Sequence, residues 1–168
     1  NPKNGEAYYN RALAYSQMEN HTKVIRDFSK AIKMGYEVGR AYCNRGKEYS
    51  LIGNFEKAKD DYTRAIDHGY ESYIVYMGRG AANLDLKKYD EAIADFDKAI
   101  ELDDSQNKNY YYRGLAYYNL KKYKEAIDDF STAIEGNPSD IDAYQKRGDA
   151  YCHVGDYDNA ISDFFTIN

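Results

Sequence analysis

The stretch from Tyr110 to Tyr118, YYYRGLAYY, decides how the chain is read, because it has counterparts. At intervals of 34 residues stand YYNRALAYS from Tyr8, YCNRGKEYS from Tyr42, YMGRGAANL from Tyr76 and YQKRGDAYC from Tyr144. A second pattern follows each at a constant distance: KVIRDFSKAI, KAKDDYTRAI, EAIADFDKAI, EAIDDFSTAI and NAISDFFTI. No insertion or deletion disturbs the register, so one supersecondary unit repeated and stacked on itself is expected. The sequence is expected to form a single array over 1–168, with repeats 5–38, 39–72, 73–106, 107–140 and a shortened 141–168. Residues 1–4 read as the tail of a preceding repeat, since Asn1-Pro2 matches Asn137-Pro138 in kind.

Each repeat holds two amphipathic helices. With positions counted from 1 within a repeat, so that Tyr110 is at 4, positions 4, 8 and 11 share one side of the first helix, and 20, 24 and 27 share one side of the second. Small residues at 8, 20 and 27 let helices approach closely, and Tyr or Phe at 4, 11 and 24 fill the space beside them. The turn between the helices usually carries an aromatic; His21 is the exception. Gly35 and Gly69 suit left-handed C-terminal caps, and Asn137-Pro138 is a stop that a helix cannot continue through.

These residues resemble the tetratricopeptide repeat family over the whole chain. The resemblance is carried by Tyr8, Tyr42, Tyr76, Tyr110 and Tyr144, then by Ala12, Gly46, Gly80, Gly114 and Gly148. It continues through Val24, Ala58, Ala92, Ala126 and Ala160, through Phe28, Tyr62, Phe96, Phe130 and Phe164, and through Ala31, Ala65, Ala99 and Ala133. Asn83 at position 11, Ile167 at position 27 and an Arg in place of Leu at position 7 of every repeat depart from the family pattern. The resemblance implies an all-α, right-handed superhelical solenoid of antiparallel helix pairs, whose concave groove commonly binds peptides.

Composition narrows the function. The chain has 168 residues, a net charge of −5 with both signs interspersed, 20 tyrosines and no tryptophan. Binding to nucleic acid through counterion release needs clustered cations, so no nucleic-acid partner is expected. No apolar run reaches membrane-spanning length and no signal segment opens the sequence, so no membrane insertion is expected. Cys43 and Cys152 have no neighbouring Cys or clustered His, which reads as two free thiols in a reducing, cytoplasmic compartment; a disulfide between them is the alternative. No metal site, cofactor or catalytic residue is expected. The three histidines occupy unrelated repeat positions, and Cys152 and His153, adjacent on a helix, diverge by about 100° and make a poor dyad.

Arg recurs at position 7 (Arg11, Arg45, Arg79, Arg113, Arg147) and Asp at position 23 (Asp27, Asp61, Asp95, Asp129, Asp163). An anion-binding ladder is one reading. Mutual pairing is the favoured one, because a guanidinium near a helix interface needs a partner to offset desolvation.

Positions 2, 5, 6, 9, 12 and 13 of the first helices face away from the packed side. In the family's architecture they line the groove, and here they supply Tyr9, Arg40, Cys43, Lys47, Ile74, Met77, Ala81, Leu84, Lys108, Tyr111, Tyr112, Leu115 and Tyr118. An apolar, aromatic surface of this sort, bordered by Arg40, Lys47 and Lys108, predicts a protein or peptide partner. The family subset that grips chaperone C-terminal carboxylates needs Lys and Asn where Tyr9 and Leu13 stand, so that ligand class is not expected. A second reading is a structural scaffold that self-associates head to tail into a homo-oligomer, because Phe164, Phe165 and Ile167 lie in a last helix with no polar cap after it.

Overall fold

The computed structural model describes residues 4–166, and every regular element among them is an α-helix. The chain divides after Leu86 into two compact units. The first contains α1 (Gly5–Gln17), α2 (His21–Lys33), α3 (Val38–Leu51), α4 (Phe55–Asp67) and α5 (Tyr73–Asp85). The second contains α6 (Tyr89–Leu102), α7 (Asn107–Asn119), α8 (Tyr123–Gly136), α9 (Ile141–Val154) and α10 (Tyr157–Thr166). Within each unit a helix packs on its neighbours in the chain, and in addition α3 touches α5 and α7 touches α9.

Short turns enforce this arrangement. Asn20 and Asn54 cap α2 and α4, their side chains accepting from the amides of Lys23 and Lys57 at 3.2 and 3.3 Å. Each of the five turns inside a repeat contains a residue with positive φ: Glu19, Gly53, Lys87, Lys121 and Gly155. Gly35 and Gly69 end α2 and α4 at φ +73° and +75°, as the sequence led one to expect. The small residues Ala12, Ala31, Ala58, Ala65, Ala126 and Ala133 are buried, and so are the rings of Phe28, Tyr62, Phe96 and Phe130 beside them.

Two contacts repeat along the array. The position-7 arginine clamps the position-23 carboxylate of its own repeat with two hydrogen bonds, donated from Nε and Nη2. These measure 2.6 and 3.1 Å for Arg11–Asp27, 2.7 and 2.8 Å for Arg45–Asp61, 2.8 and 2.7 Å for Arg113–Asp129, and 2.8 and 2.6 Å for Arg147–Asp163. The remaining nitrogen, Nη1, reaches back to position 25 of the preceding repeat, as Arg45 does to Ser29 Oγ at 2.7 Å. These guanidiniums also lie over tyrosine rings, Arg45 over both Tyr42 and Tyr49. They are structural clamps, and the anion-ladder reading loses its donors to them.

Candidate partner-binding site

On the first unit the expected residues fall into two groups. Tyr9 is only 8% exposed and Cys43 only 5%, so neither offers the surface predicted for it. The Tyr9 ring packs edge-on against Phe28 and Tyr36, and its hydroxyl accepts from Asn44 Nδ2 at 3.0 Å, which brings α3 over it. Cys43 lies in a core cluster with Ala58, Tyr62 and Val75, and burial pushes its thiol up to about 11. The reason is shared. Position 5 lies at the seam where the next repeat docks, and a helical wheel of one helix does not contain that neighbour. Arg40, Lys47 and Ile74 are exposed, and Met77, Ala81 and Leu84 are half-buried. Arg40 is engaged by Glu37 at 3.6 Å and lies over the Tyr70 ring, which leaves Lys47 as the more available cation.

On the second unit Lys108 is exposed, and Tyr111, Tyr112, Leu115 and Tyr118 are half-buried. Tyr111 leans on Phe130 and Tyr112, and Tyr112 stacks on Phe96 at 5.9 Å. Burial, with the Asp142 and Asp140 charges adding to it, raises the Tyr111 hydroxyl to about 12, so it remains a hydrogen-bond donor at neutral pH. Tyr118 touches His153, whose ring stacks on Tyr123 at 4.3 Å while Nε2 lies 3.1 Å from the Tyr118 hydroxyl. Leu115, half-buried, is the aliphatic member of this face, and Lys108 stands on the same helix.

Two features escaped the sequence reading. Tyr36 and Tyr70 pack onto Gly5 and Gly39, where a Cβ would fall 2.6 and 2.7 Å from the tyrosine Cβ. The joint appearance of Tyr at position 32 and Gly at position 1 was the available signal. Glu48 is buried where other repeats have Ala; it accepts from Ser16 Oγ at 3.0 Å and lies 2.7 Å from His21 Nδ1. Its signal was the coincidence of two departures from the repeat, Glu48 and His21.

At the C-terminal end Phe164 packs over Gly148, whose Cβ would meet the ring at 2.6 Å, so it belongs to the last repeat's own core and is not an open anchor. Phe165 is exposed, and Ile167 lies outside the described residues. Both cysteines are free. Among the described residues no cluster of three His, Cys, Asp or Glu is placed to hold a metal, and no helix is long and apolar enough to cross a membrane.

Helix pairs in a fixed 34-residue register, held by recurrent small–aromatic packing, define the class of helical repeat proteins. Family models of the tetratricopeptide repeat match residues 43–107, residues 5–34 and 108–140, and residues 130–162. The chain belongs to the tetratricopeptide repeat family, whose fold is that of a protein-interaction module and whose members are generally non-catalytic scaffolds. The crystal structure of the MamA protein matches it with a TM-score of 0.90 at 25% identity, over 97% of this chain and 89% of that one. YrrB, described as a TPR protein with an unusual peptide-binding site, matches with a TM-score of 0.87 at 21% identity, over 99% and 86%. MamA from Desulfovibrio magneticus RS-1 gives 0.91 at 16% identity, over 97% and 92%. The latter two likenesses concern the fold alone. No curated protein sequence matches the chain.

Proposed function

We propose that this chain is a non-catalytic adaptor that holds a peptide or helical segment of a partner protein on the outward faces of its first helices. The supporting observation is that the core is complete without Ile74, Met77 and Leu84 on one unit, or Leu115 and Tyr118 on the other, yet these positions are apolar. Surface apolar groups of this kind on a helical scaffold are what recognition of an amphipathic or extended segment uses. Exposed Lys47 and Lys108 would meet acidic groups on the ligand, while Asp140, Asp142 and Asp149 disfavour acid near the last repeat. The peptide-binding site ascribed to YrrB, a protein of the same fold, points the same way.

The test uses Leu115 and the exposed Lys108. Tyr111 is unsuitable because it leans on Phe130. In L115S/K108E the circular dichroism spectrum and melting temperature are expected to stay close to the parent's, while affinity capture followed by mass spectrometry loses its specific partner. Undiminished capture by the double variant overturns the assignment. Self-association through the terminal helices is the second reading, and the exposed ring of Phe165 supports it.

A further inference from the structure

The clamps inside the repeats show what tyrosine and aspartate hold together in this chain. Arg147 lies over the Tyr144 and Tyr151 rings at 5.5 and 5.8 Å while donating Nε and Nη2 to Asp163 at 2.8 and 2.6 Å. Arg45 does the same with Tyr42, Tyr49 and Asp61. The outward face of the second unit brings the same two groups together without an arginine. Tyr118 on α7 has Asp149 of α9 near it: burial raises the Tyr118 hydroxyl, and the Asp149 charge adds to that. The ring is held by an edge contact with Tyr123 and by His153, whose Nε2 lies 3.1 Å from the hydroxyl. The cation at this place is Lys146, and it fits loosely. Its Nζ is 5.9 Å from the Tyr118 centroid and 3.9 Å from Asp149 Oδ2, each near the outer limit of such a contact. The Lys146 and Asp149 side chains are 39% and 37% exposed, so a ligand group can reach both.

We propose that Tyr118 and Asp149 form the part of the peptide-binding face that takes an arginine side chain of the ligand, with Lys146 as an internal occupant that the ligand displaces. The inference names the ligand chemistry of the adaptor reading above and rests on that reading. A guanidinium stacks flat on an aromatic ring, gives a carboxylate two parallel N–H bonds, and leaves water at less cost than an ammonium. Lys146 is a compact, strongly hydrated charge that makes neither contact closely. It stands three residues before Asp149 on the same helix, and an exposed pair of that kind contributes little, so displacing it costs little. Leu115, three residues before Tyr118 on α7, shares its side of the helix, so the ligand places an apolar residue beside the arginine. Lys108 stands roughly 15 Å further back along α7, so an acidic group bound there and the arginine bound here belong to different ligand residues.

Selection of a displayed random peptide library on the full chain, keeping only peptides that L115S/K108E fails to bind, supplies the probe. These peptides are expected to carry an arginine beside an apolar residue. Synthesis of one of them with citrulline in place of that arginine removes the charge and keeps the shape. Calorimetry should show about a tenfold loss of affinity from that exchange and from D149N alone, with little further loss when the two are combined. Asp149 is partly exposed, so D149N is expected to fold like the parent, which circular dichroism checks. Lys146 gives a second reading. K146Q removes the internal occupant and should tighten the arginine peptide roughly two- to fivefold while leaving the citrulline peptide unchanged. K146R installs a better occupant and should weaken the arginine peptide, whereas charge attraction alone would leave it at the parent's affinity. If no peptide depends on Leu115 and Lys108, the adaptor reading fails and the arginine assignment with it. Peptides that depend on them but lack arginine, additive losses from citrulline and D149N, or K146R binding as tightly as the parent each overturn the arginine assignment alone.

Discussion

Arg11 and Arg113 hold the same place in their repeats, and their surroundings make them unequal. Asp27 is pushed up by burial, but bonds from Arg11 and from Arg26, the latter at 3.0 Å, outweigh that and hold it below the usual carboxylate range. Asp129 has Arg113 as its bonded cation, and burial wins, leaving its carboxyl raised. R113L is therefore expected to cost about 3–5 kcal/mol in urea unfolding, the toll of removing one partner from a buried pair. R11L is expected to cost clearly less, because Arg26 still donates to Asp27. The pH dependence has opposite signs. The stability due to depressed Asp27 is present above its unfolded pKa and is lost as pH falls through its folded value. The stability due to raised Asp129 is present below its unfolded pKa and is lost as pH climbs through its folded value. The R113L deficit should accordingly shrink as the pH is lowered, because protonation relieves the orphaned Asp129; a deficit independent of pH would contradict this. The pairing itself was legible, because a constant 16-residue separation repeated along a chain implies a repeated contact. The burial of Tyr9 and Cys43 was not, because the helix that covers them belongs to the next repeat. Asn109, fully buried with neither side-chain polar atom partnered, has no explanation in the structure.

At the scale of elements, the five turns inside the repeats need the same backbone and supply it with different residues. Gly53 and Gly155 adopt φ +74° and +81° without strain, whereas Lys87 and Lys121 are held at φ +60° and +61°. A side chain in the left-handed region costs roughly 1–2 kcal/mol that glycine avoids. K121G is thus expected to raise the melting temperature by about 2–4 °C, taking roughly 1 kcal/mol for a chain of this size. G53K should lower it by a similar amount, and thermal melts followed by circular dichroism read both. No change in either variant would mean that these turns relax the strain elsewhere. Helix number and order were readable from the sequence because each turn falls at a fixed place in the repeat. The strain in the lysine turns was not readable, since Lys-Lys there looks like ordinary solvated charge.

On the scale of the molecule, stability in a repeat array is a sum of local terms, because each helix meets only near neighbours in the chain. Within the first unit α3 packs on α2, α4 and α5, while α1 packs mainly on α2. Within the second, α8 packs on α7 and α9, while α10 packs mainly on α9. A helix covered on one side opens at lower free energy than one covered on two, and amide exchange reports that opening. Hydrogen–deuterium exchange at low micromolar concentration should therefore show α1 less protected than α3, and α10 less protected than α8. Equal protection across either pair would mean that the unit unfolds as one block.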